Sequence, residues 1–173
     1  MQFLILGILL DGSLSLYDVR KRFAAGISLF YAASFGSIQH ALGQLESQGW
    51  VTRADVEGSG RRKKLYIISE TGRQAWREWM QAPITGSDAE ATMLAKVYLL
   101  GRLPATERGE CIAVLRDRIL ADADRLATLV EEFDPAGIPD DAHEVYRYRR
   151  ATLDYGIRTH ALAVQWLDEL EQT

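Results

Sequence analysis

The segment Trp50–Gly72 restricts the fold more than any other part of the chain. Residues 50–56 and 65–68 are rich in β-branched and aromatic side chains, which predicts two strands. The intervening Glu57-Gly58-Ser59-Gly60 can form a turn, and it is followed by a run of cations, Arg61, Arg62, Lys63 and Lys64. The segment therefore predicts a β-hairpin with a basic edge.

Helical patterns lie on both sides of this hairpin. An apolar run at 3–10, a pattern that starts at Ser15 and a third at 34–47 precede it, and a fourth starts near Ser69. Ser15 and Asp18 have the spacing of a capping box, which marks the start of a helix. Short helices followed by a basic hairpin predict a winged helix-turn-helix, so the expected fold is mainly α with a small β-hairpin wing.

The third helix presents two different faces. Phe35, Ile38, Leu42 and Leu45 recur at helical spacing, so we expect them to face the core, and Leu29-Phe30-Tyr31 before the helix is expected to pack inward. The opposite face is small, polar and uncharged. Such a face can enter the major groove of DNA, although any solvated surface helix can also show it. Its residues are Gly36, Ser37, Gln39, His40, Gly43, Gln44 and Ser47.

The second half of the chain is helical in pattern. The predicted domains are a winged helix at 1–82, a linker at 83–88 and a helical domain at 89–173 that is expected to dimerise. Apolar residues at seven-residue spacing form a seam that packs within the chain, across a two-fold axis, or both. The seam residues expected to dimerise are Ile112, Leu115, Ile119, Leu126, Leu129, Leu162 and Trp166.

Charge is distributed unevenly along the chain. The net charge is −4, yet residues 1–80 hold 10 Lys and Arg against 7 Asp and Glu, and residues 81–173 hold 10 against 17. This asymmetry predicts that the N-terminal half meets an anion. A run of four cations exceeds what a solvated strand edge needs, so a phosphate backbone is the expected partner.

The sequence gives no evidence for several other classes of protein. The single cysteine, Cys111, excludes an intrachain disulfide and any multi-cysteine metal site, and it is expected to be a small core residue. His143 and His160 lack the spacing of a metal site, so no metal and no cofactor is expected. No phosphate loop or nucleophile motif indicates an enzyme. The run Phe3–Leu10 is too short to span a membrane.

The chain resembles the PadR family of bacterial transcriptional regulators. Its second half is similar to that family's helical dimerisation domain, and Gln39-His40 stands where the family usually has Tyr-Pro, which bears on the choice of operator. The resemblance rests on motifs in the first half: Leu6-Gly7-Ile8-Leu9, Leu16-Tyr17-Asp18-Val19, Ser34-Phe35-Gly36-Ser37-Ile38, Gly49-Trp50-Val51, Arg61 to Tyr66 and Glu70-Thr71-Gly72-Arg73.

The resemblance implies a sequence-specific, cytoplasmic DNA-binding regulator. We expect a homodimer on palindromic double-stranded DNA, acting as a repressor that a small-molecule effector releases. The third helix would read bases, and the wing would hold the phosphate backbone. The expected DNA-binding residues are Tyr17, Lys21, Ser34, Ser37, Gln39, His40, Gln44, Arg61, Arg62, Lys63 and Lys64.

An aromatic effector is a further expectation from the resemblance. Aromatic residues in both halves are candidates to line its site, although an aromatic core explains each residue better when it is taken singly. Two alternatives stay open: a winged-helix module that binds protein, and a multidrug-sensing regulator with an aromatic slot at the dimer interface. The candidate effector residues are Tyr17, Phe30, Trp76, Trp79, Tyr98, Tyr148 and Tyr155.

Overall fold

A computed structural model describes residues 1–58, 61–132 and 142–171 of the chain. They form a mainly α fold with one antiparallel hairpin, which confirms the predicted fold class. Short 3-10 turns lie at Ile27–Leu29 and Leu100–Arg102. The elements in chain order are α1 (Gln2–Leu9), α2 (Leu16–Ala24), α3 (Phe35–Ser47), β1 (Val51–Gly58), β2 (Arg61–Ile68), α4 (Glu70–Gln81), α5 (Ala89–Leu99), α6 (Ala105–Glu131) and α7 (His143–Glu171).

The chain divides into two compact units, Met1–Cys111 and Ile112–Thr173. In the first unit, α5 packs against α1, and the winged-helix elements α3 and α4 also pack against α1. The predicted domain boundaries, with a linker at 83–88, stay a prediction. No regular element lies between α4 and α5, yet Ile84 in this segment is buried.

The first unit is built around α1. Six of its eight residues are buried, because α3, α4 and α5 all pack against it. Gly7 allows this close approach, since a Cβ there would lie 2.4 Å from Leu99 Cδ1. The apolar run at 3–10 is therefore a buried core helix, as predicted from its length.

The wing is anchored at its base. Val51 pairs with Ile68 at the open end of the hairpin, and both side chains are buried. The start of α4 lies directly on this base, because a Cβ at Gly72 would stand 2.1 Å from the Trp50 carbonyl oxygen. Ser69 Oγ caps α4 by accepting from the Gly72 N–H at 3.0 Å. The orientation of the wing is thus fixed by close backbone packing.

In the second unit, α6 and α7 lie against each other. A Cβ at Gly156 of α7 would be 3.1 Å from Leu126 Cδ1 of α6, so the helices approach closely there. Arg116 of α6 donates to Asp168 and Glu171 of α7, the latter at 2.9 Å. These contacts pair the two long helices within one chain.

Two expectations about the core are wrong. Phe35 is 50% exposed, although its spacing matched the core face of α3. It lies at the first position of the helix, and Ala41 completes the buried face instead. Leu29 is 89% exposed, whereas Phe30 and Tyr31 beside it are partly buried.

Candidate nucleic-acid interface

The outward face of α3 is a shallow, open depression that carries no Asp, Glu, Lys or Arg. Helix α3 packs against α1, α2 and β1, which fixes this face toward solvent. Gln44 Oε1 accepts a hydrogen bond from Gln2 Nε2 at 3.0 Å, which holds that amide in place. The residues that line the depression are Gly36, Gln39, His40, Gly43, Gln44 and Ser47.

Ser34 and Ser37 begin α3 rather than standing free on its surface. Ser34 Oγ accepts from the Ser37 N–H at 3.1 Å, and Ser37 Oγ accepts from the Ser34 N–H at 2.8 Å. This reciprocal pair is a capping box, and it satisfies backbone donors that the first turn would otherwise leave unpaired. Both residues are still predicted to bind DNA, and they also stabilise the first turn of α3.

Helix α2 carries the next group of predicted contacts. Tyr17 is 67% exposed, and Lys21 is exposed beside it. Arg20 lies over the Phe35 ring at 6.0 Å, which joins α2 to the start of α3. Arg22 turns toward the body, where it donates to Asp11 at 2.8 Å. The cations of this helix therefore point in different directions, as the 100° step between helical neighbours predicted.

The wing cations belong to β2 and not to the turn. Consecutive strand residues point to opposite faces, so Lys63 and Lys64 cannot meet the same surface. Lys64 is exposed and lies opposite Asp55 in the strand register. Arg61 and Arg62 occupy the first positions of β2, and their side chains lie outside the described residues.

Lys63 makes an ion pair with α2. Its Nζ lies 3.1 Å from Asp18 Oδ2, and both side chains are partly exposed. A hydrogen bond from Ser15, and then the Lys63 ammonium, hold the pKa of the Asp18 carboxyl below its ordinary value. Asp18 therefore stays ionised near neutral pH and faces the wing. Its capping-box spacing with Ser15 was visible in the sequence, but its pairing with a residue 45 positions away was not.

Comparisons with known proteins match each part of this chain to a described family. Residues 5–78 match the family described as Transcriptional regulator PadR-like family, and residues 91–173 match Virulence activator alpha C-term. Residues 5–78 thus form a PadR-like domain of the kind found in transcriptional regulators. The PadR-like match confirms the resemblance found in the sequence. It also confirms the prediction of a transcriptional regulator rather than an enzyme.

Two relatives and one solved structure are similar over most of this PadR-like chain. The "Negative transcriptional regulator PadR" of Bacillus subtilis is 27% identical over 137 residues, covering 78% of this chain and 73% of the relative. The "Probable transcriptional regulator Rv1176c" of Mycobacterium tuberculosis is 27% identical over 181 residues, covering 97% and 94%. The crystal structure of Bacillus subtilis PadR in complex with operator DNA has a TM-score of 0.45 at 24% identity, covering 98% of this chain and 95% of that one.

Four of the seven candidate effector residues already contact other residues of the first unit. Within the first unit, Trp79 stacks on Phe3 with ring centroids 5.0 Å apart, and Phe30 meets Tyr98 at 5.8 Å. Trp76 is buried in the core, and its indole N–H has no hydrogen-bond partner among the described residues. An effector site made from all seven predicted residues therefore remains a prediction.

The candidate dimerisation residues fall into three groups. Ile112, Leu115 and Ile119 are buried within the single chain, so they are not available to a partner. Leu126 and Trp166 are partly buried, whereas Leu129 and Leu162 are exposed. On α7, Tyr148 and Tyr155 are exposed at the same seven-residue spacing as Leu162.

Sequence reasoning missed a buried lysine in the first unit. Lys96 is 1% exposed and donates through Nζ to the Ala82 carbonyl at the end of α4. The ammonium also lies 5.4 Å from the Trp79 ring centroid. Cys111 is buried beside it and donates to the Met80 carbonyl at 3.1 Å, consistent with the predicted core role.

The described part of the chain offers neither a metal-binding cluster nor a helix that could span a membrane. Among residues 1–58, 61–132 and 142–171, no three His, Cys, Asp or Glu side chains are grouped so that they could hold a metal ion. None of the helices in those ranges combines the length and the apolar character needed to cross a membrane.

Proposed function

We propose that this PadR-like regulator binds operator DNA as a cytoplasmic homodimer and represses transcription until a small-molecule effector releases it. The observation that carries the proposal is the outward face of α3, which is exposed, uncharged and lined by amide side chains and glycines. In a winged helix, this is the surface that enters the major groove.

The side chains of this face suit base reading. Gln39 and Gln44 can each pair with the N6 and N7 positions of adenine, and His40 can donate to or accept from a base edge. Gly36 and Gly43 have no Cβ, so the helix backbone can come close to the bases. Because Gln39-His40 departs from the usual Tyr-Pro, we expect an operator different from those of typical relatives.

The surrounding cations suit the phosphate backbone. Lys21 and Tyr17 on α2 and Lys64 on the wing lie on the two elements that flank α3 in the chain. Each phosphate that such a lysine neutralises contributes about −0.9 to the slope of log K against log salt. These contacts supply affinity and register, whereas α3 supplies sequence preference.

Dimerisation is proposed through α7. Tyr148, Tyr155 and Leu162 form an exposed stripe at seven-residue spacing, a pattern that favours packing against another helix. A chain with a net charge of −4 also gains phosphate contacts by presenting two wings to one duplex. Two-fold symmetry then implies a palindromic operator.

The sign of regulation is proposed from the name of a relative, and the aromatic effector from exposed tyrosines. The Bacillus subtilis relative is named a negative regulator, which favours repression. The exposed Tyr148 and Tyr155 favour a second candidate function, multidrug sensing, in which tyrosines from two copies of α7 line an aromatic slot.

Base reading is tested by replacing Gln39 and Gln44 singly with alanine. Each change should weaken binding to the operator by about 1–3 kcal/mol, or roughly five- to 150-fold, and leave binding to random DNA nearly unchanged. Gln48→Ala, an exposed glutamine at the C-terminal cap of the same helix, is the matched control and should change neither.

Equal losses on operator and random DNA would contradict base reading by α3. If the unchanged protein fails to bind any duplex at low salt, the DNA-binding proposal is wrong, and a winged-helix module that binds protein becomes the better description.

The dimer is tested by Leu162→Glu, with Ala161→Glu as the control. Both residues are exposed on α7, but only Leu162 belongs to the stripe. Sedimentation equilibrium should show dissociation for Leu162→Glu alone. Equal behaviour of the two variants would place the dimer interface elsewhere.

A further inference from the structure

One wing lysine is tied to the body of the protein. Lys63 Nζ lies 3.1 Å from Asp18 Oδ2, in the first turn of α2. The same oxygen accepts from Ser15 Oγ at 2.6 Å and from the Ser15 N–H at 3.2 Å. The capping box therefore holds the carboxylate in place, and the lysine meets an acceptor that is already positioned.

The wing and α2 are also joined through the backbone. Leu14, which precedes α2, exchanges two hydrogen bonds with Tyr66 of β2, at 3.1 and 2.8 Å. Lys63 lies three residues from Tyr66 toward the tip of the hairpin, so its ion pair extends this connection along the wing. Lys64, by contrast, has no carboxylate within ion-pair distance among the described residues.

This geometry opposes a phosphate contact by Lys63. A phosphate would have to compete with a carboxylate that is held 3.1 Å from the ammonium. If the phosphate won, the Asp18 charge would be left unpaired beside a polyanion, where like charges repel. The pair as a whole brings no net positive charge to DNA, so it should release few counterions on binding.

We propose that Asp18 masks Lys63 from DNA, and that Asp18 is thereby a positioning residue that limits the sequence-independent grip of the wing. The proposal rests on the DNA-binding function proposed above. It divides the basic run into a lysine that holds the wing to α2 and a neighbouring lysine, Lys64, that is free to meet phosphate.

The first test measures the salt dependence of binding to a random-sequence duplex. Asp18→Asn should release Lys63, steepen the slope of log K against log salt by up to about 0.9, and raise affinity about eightfold at 0.1 M salt. Lys63→Gln, introduced alone while Asp18 is kept, should change the slope by less than half that amount. The same substitution should abolish the gain when it is combined with Asp18→Asn.

Asp55→Asn is the matched control for charge alone. Asp55 is an exposed wing carboxylate that lies opposite Lys64 in the strand register and is not in an ion pair with Lys63. Its removal changes the net charge equally but releases no tethered lysine, so the gain in affinity should be smaller. The proposal is overturned if Asp55→Asn matches Asp18→Asn, or if Lys63→Gln alone lowers the slope as much as Lys64→Gln does.

A second test needs no DNA. The pKa of the Asp18 carboxyl, followed by NMR, should rise in Lys63→Gln, and an unchanged value would overturn the tether. The NMR test does not require Asp18→Asn to fold. We nevertheless expect that variant to fold, because asparagine keeps an oxygen that can accept from the Ser15 N–H. Failure of the unchanged protein to bind any duplex would contradict the proposed function, while the NMR titration would still decide the tether.

Discussion

Replacing Gly43 with alanine should stabilise the fold and weaken operator binding at the same time. Gly43 lies in the interior of α3, it is exposed, and a Cβ there would meet no heavy atom within 4 Å. Alanine in a helix interior is more stable than glycine by about 0.5–1 kcal/mol, so the free energy of unfolding should rise by that amount.

The loss of binding follows from the position of Gly43. It lies on the same outward face as Gln39, His40 and Gln44, in the depression proposed to meet base edges. An added methyl group in a close-packed interface costs about 1–3 kcal/mol, which is roughly five- to 150-fold in affinity. Random DNA, held mainly through its phosphates, should lose less.

Gly109→Ala is the matched control. Gly109 lies in α6, is exposed, and would also place its Cβ in open space. Urea unfolding should show the same stabilisation for both variants, and fluorescence anisotropy with labelled duplexes should show weaker operator binding for Gly43→Ala alone. Stabilisation by Gly43→Ala with unchanged operator affinity would refute close insertion of α3 into the groove.

Two predictions concern the scaffold of the first unit. Gly72→Ala should lower the free energy of unfolding by at least about 2 kcal/mol, because its Cβ would stand 2.1 Å from the Trp50 carbonyl oxygen and the backbone would have to move. An unchanged urea midpoint would contradict that packing. Burial lowers the pKa of the Lys96 ammonium from its ordinary 10.5, so the unfolded chain binds more protons between the folded pKa and 10.5. Relative to Lys96→Met, the free energy of unfolding should therefore increase as pH rises from the folded pKa to 10.5. The same gain should be lost as pH falls back through the folded pKa, and parallel pH profiles for the two proteins would contradict the prediction.

Local patterns predicted the elements of this fold well. The Ser15 and Asp18 capping box begins α2 as expected, and the apolar run 3–10 forms the buried helix α1. These features depend on residues within one or two turns of each other, which a sequence displays directly. The hairpin was also predicted from neighbouring residues. Its second strand begins at Arg61 rather than at 65, so β2 includes the basic run.

Nonlocal contacts account for what the sequence did not reveal. Lys63 and Asp18 are far apart in the chain, and only the folded hairpin brings them together. Lys96 carries no local sign of burial, because its partners at the end of α4 are set by the packing of α5. Phe35 has the spacing of a core residue, yet it lies at the first position of α3 and stays half exposed.

We propose that a two-fold dimer of this PadR-like regulator reads a specific DNA sequence through α3. Selection of duplexes from a random pool by the purified protein tests it most directly. We predict enrichment of an inverted repeat whose half-site centres lie about one helical turn, or a multiple of it, apart. Recovery of DNA without any shared sequence, at a salt concentration where the protein still binds, would contradict the account.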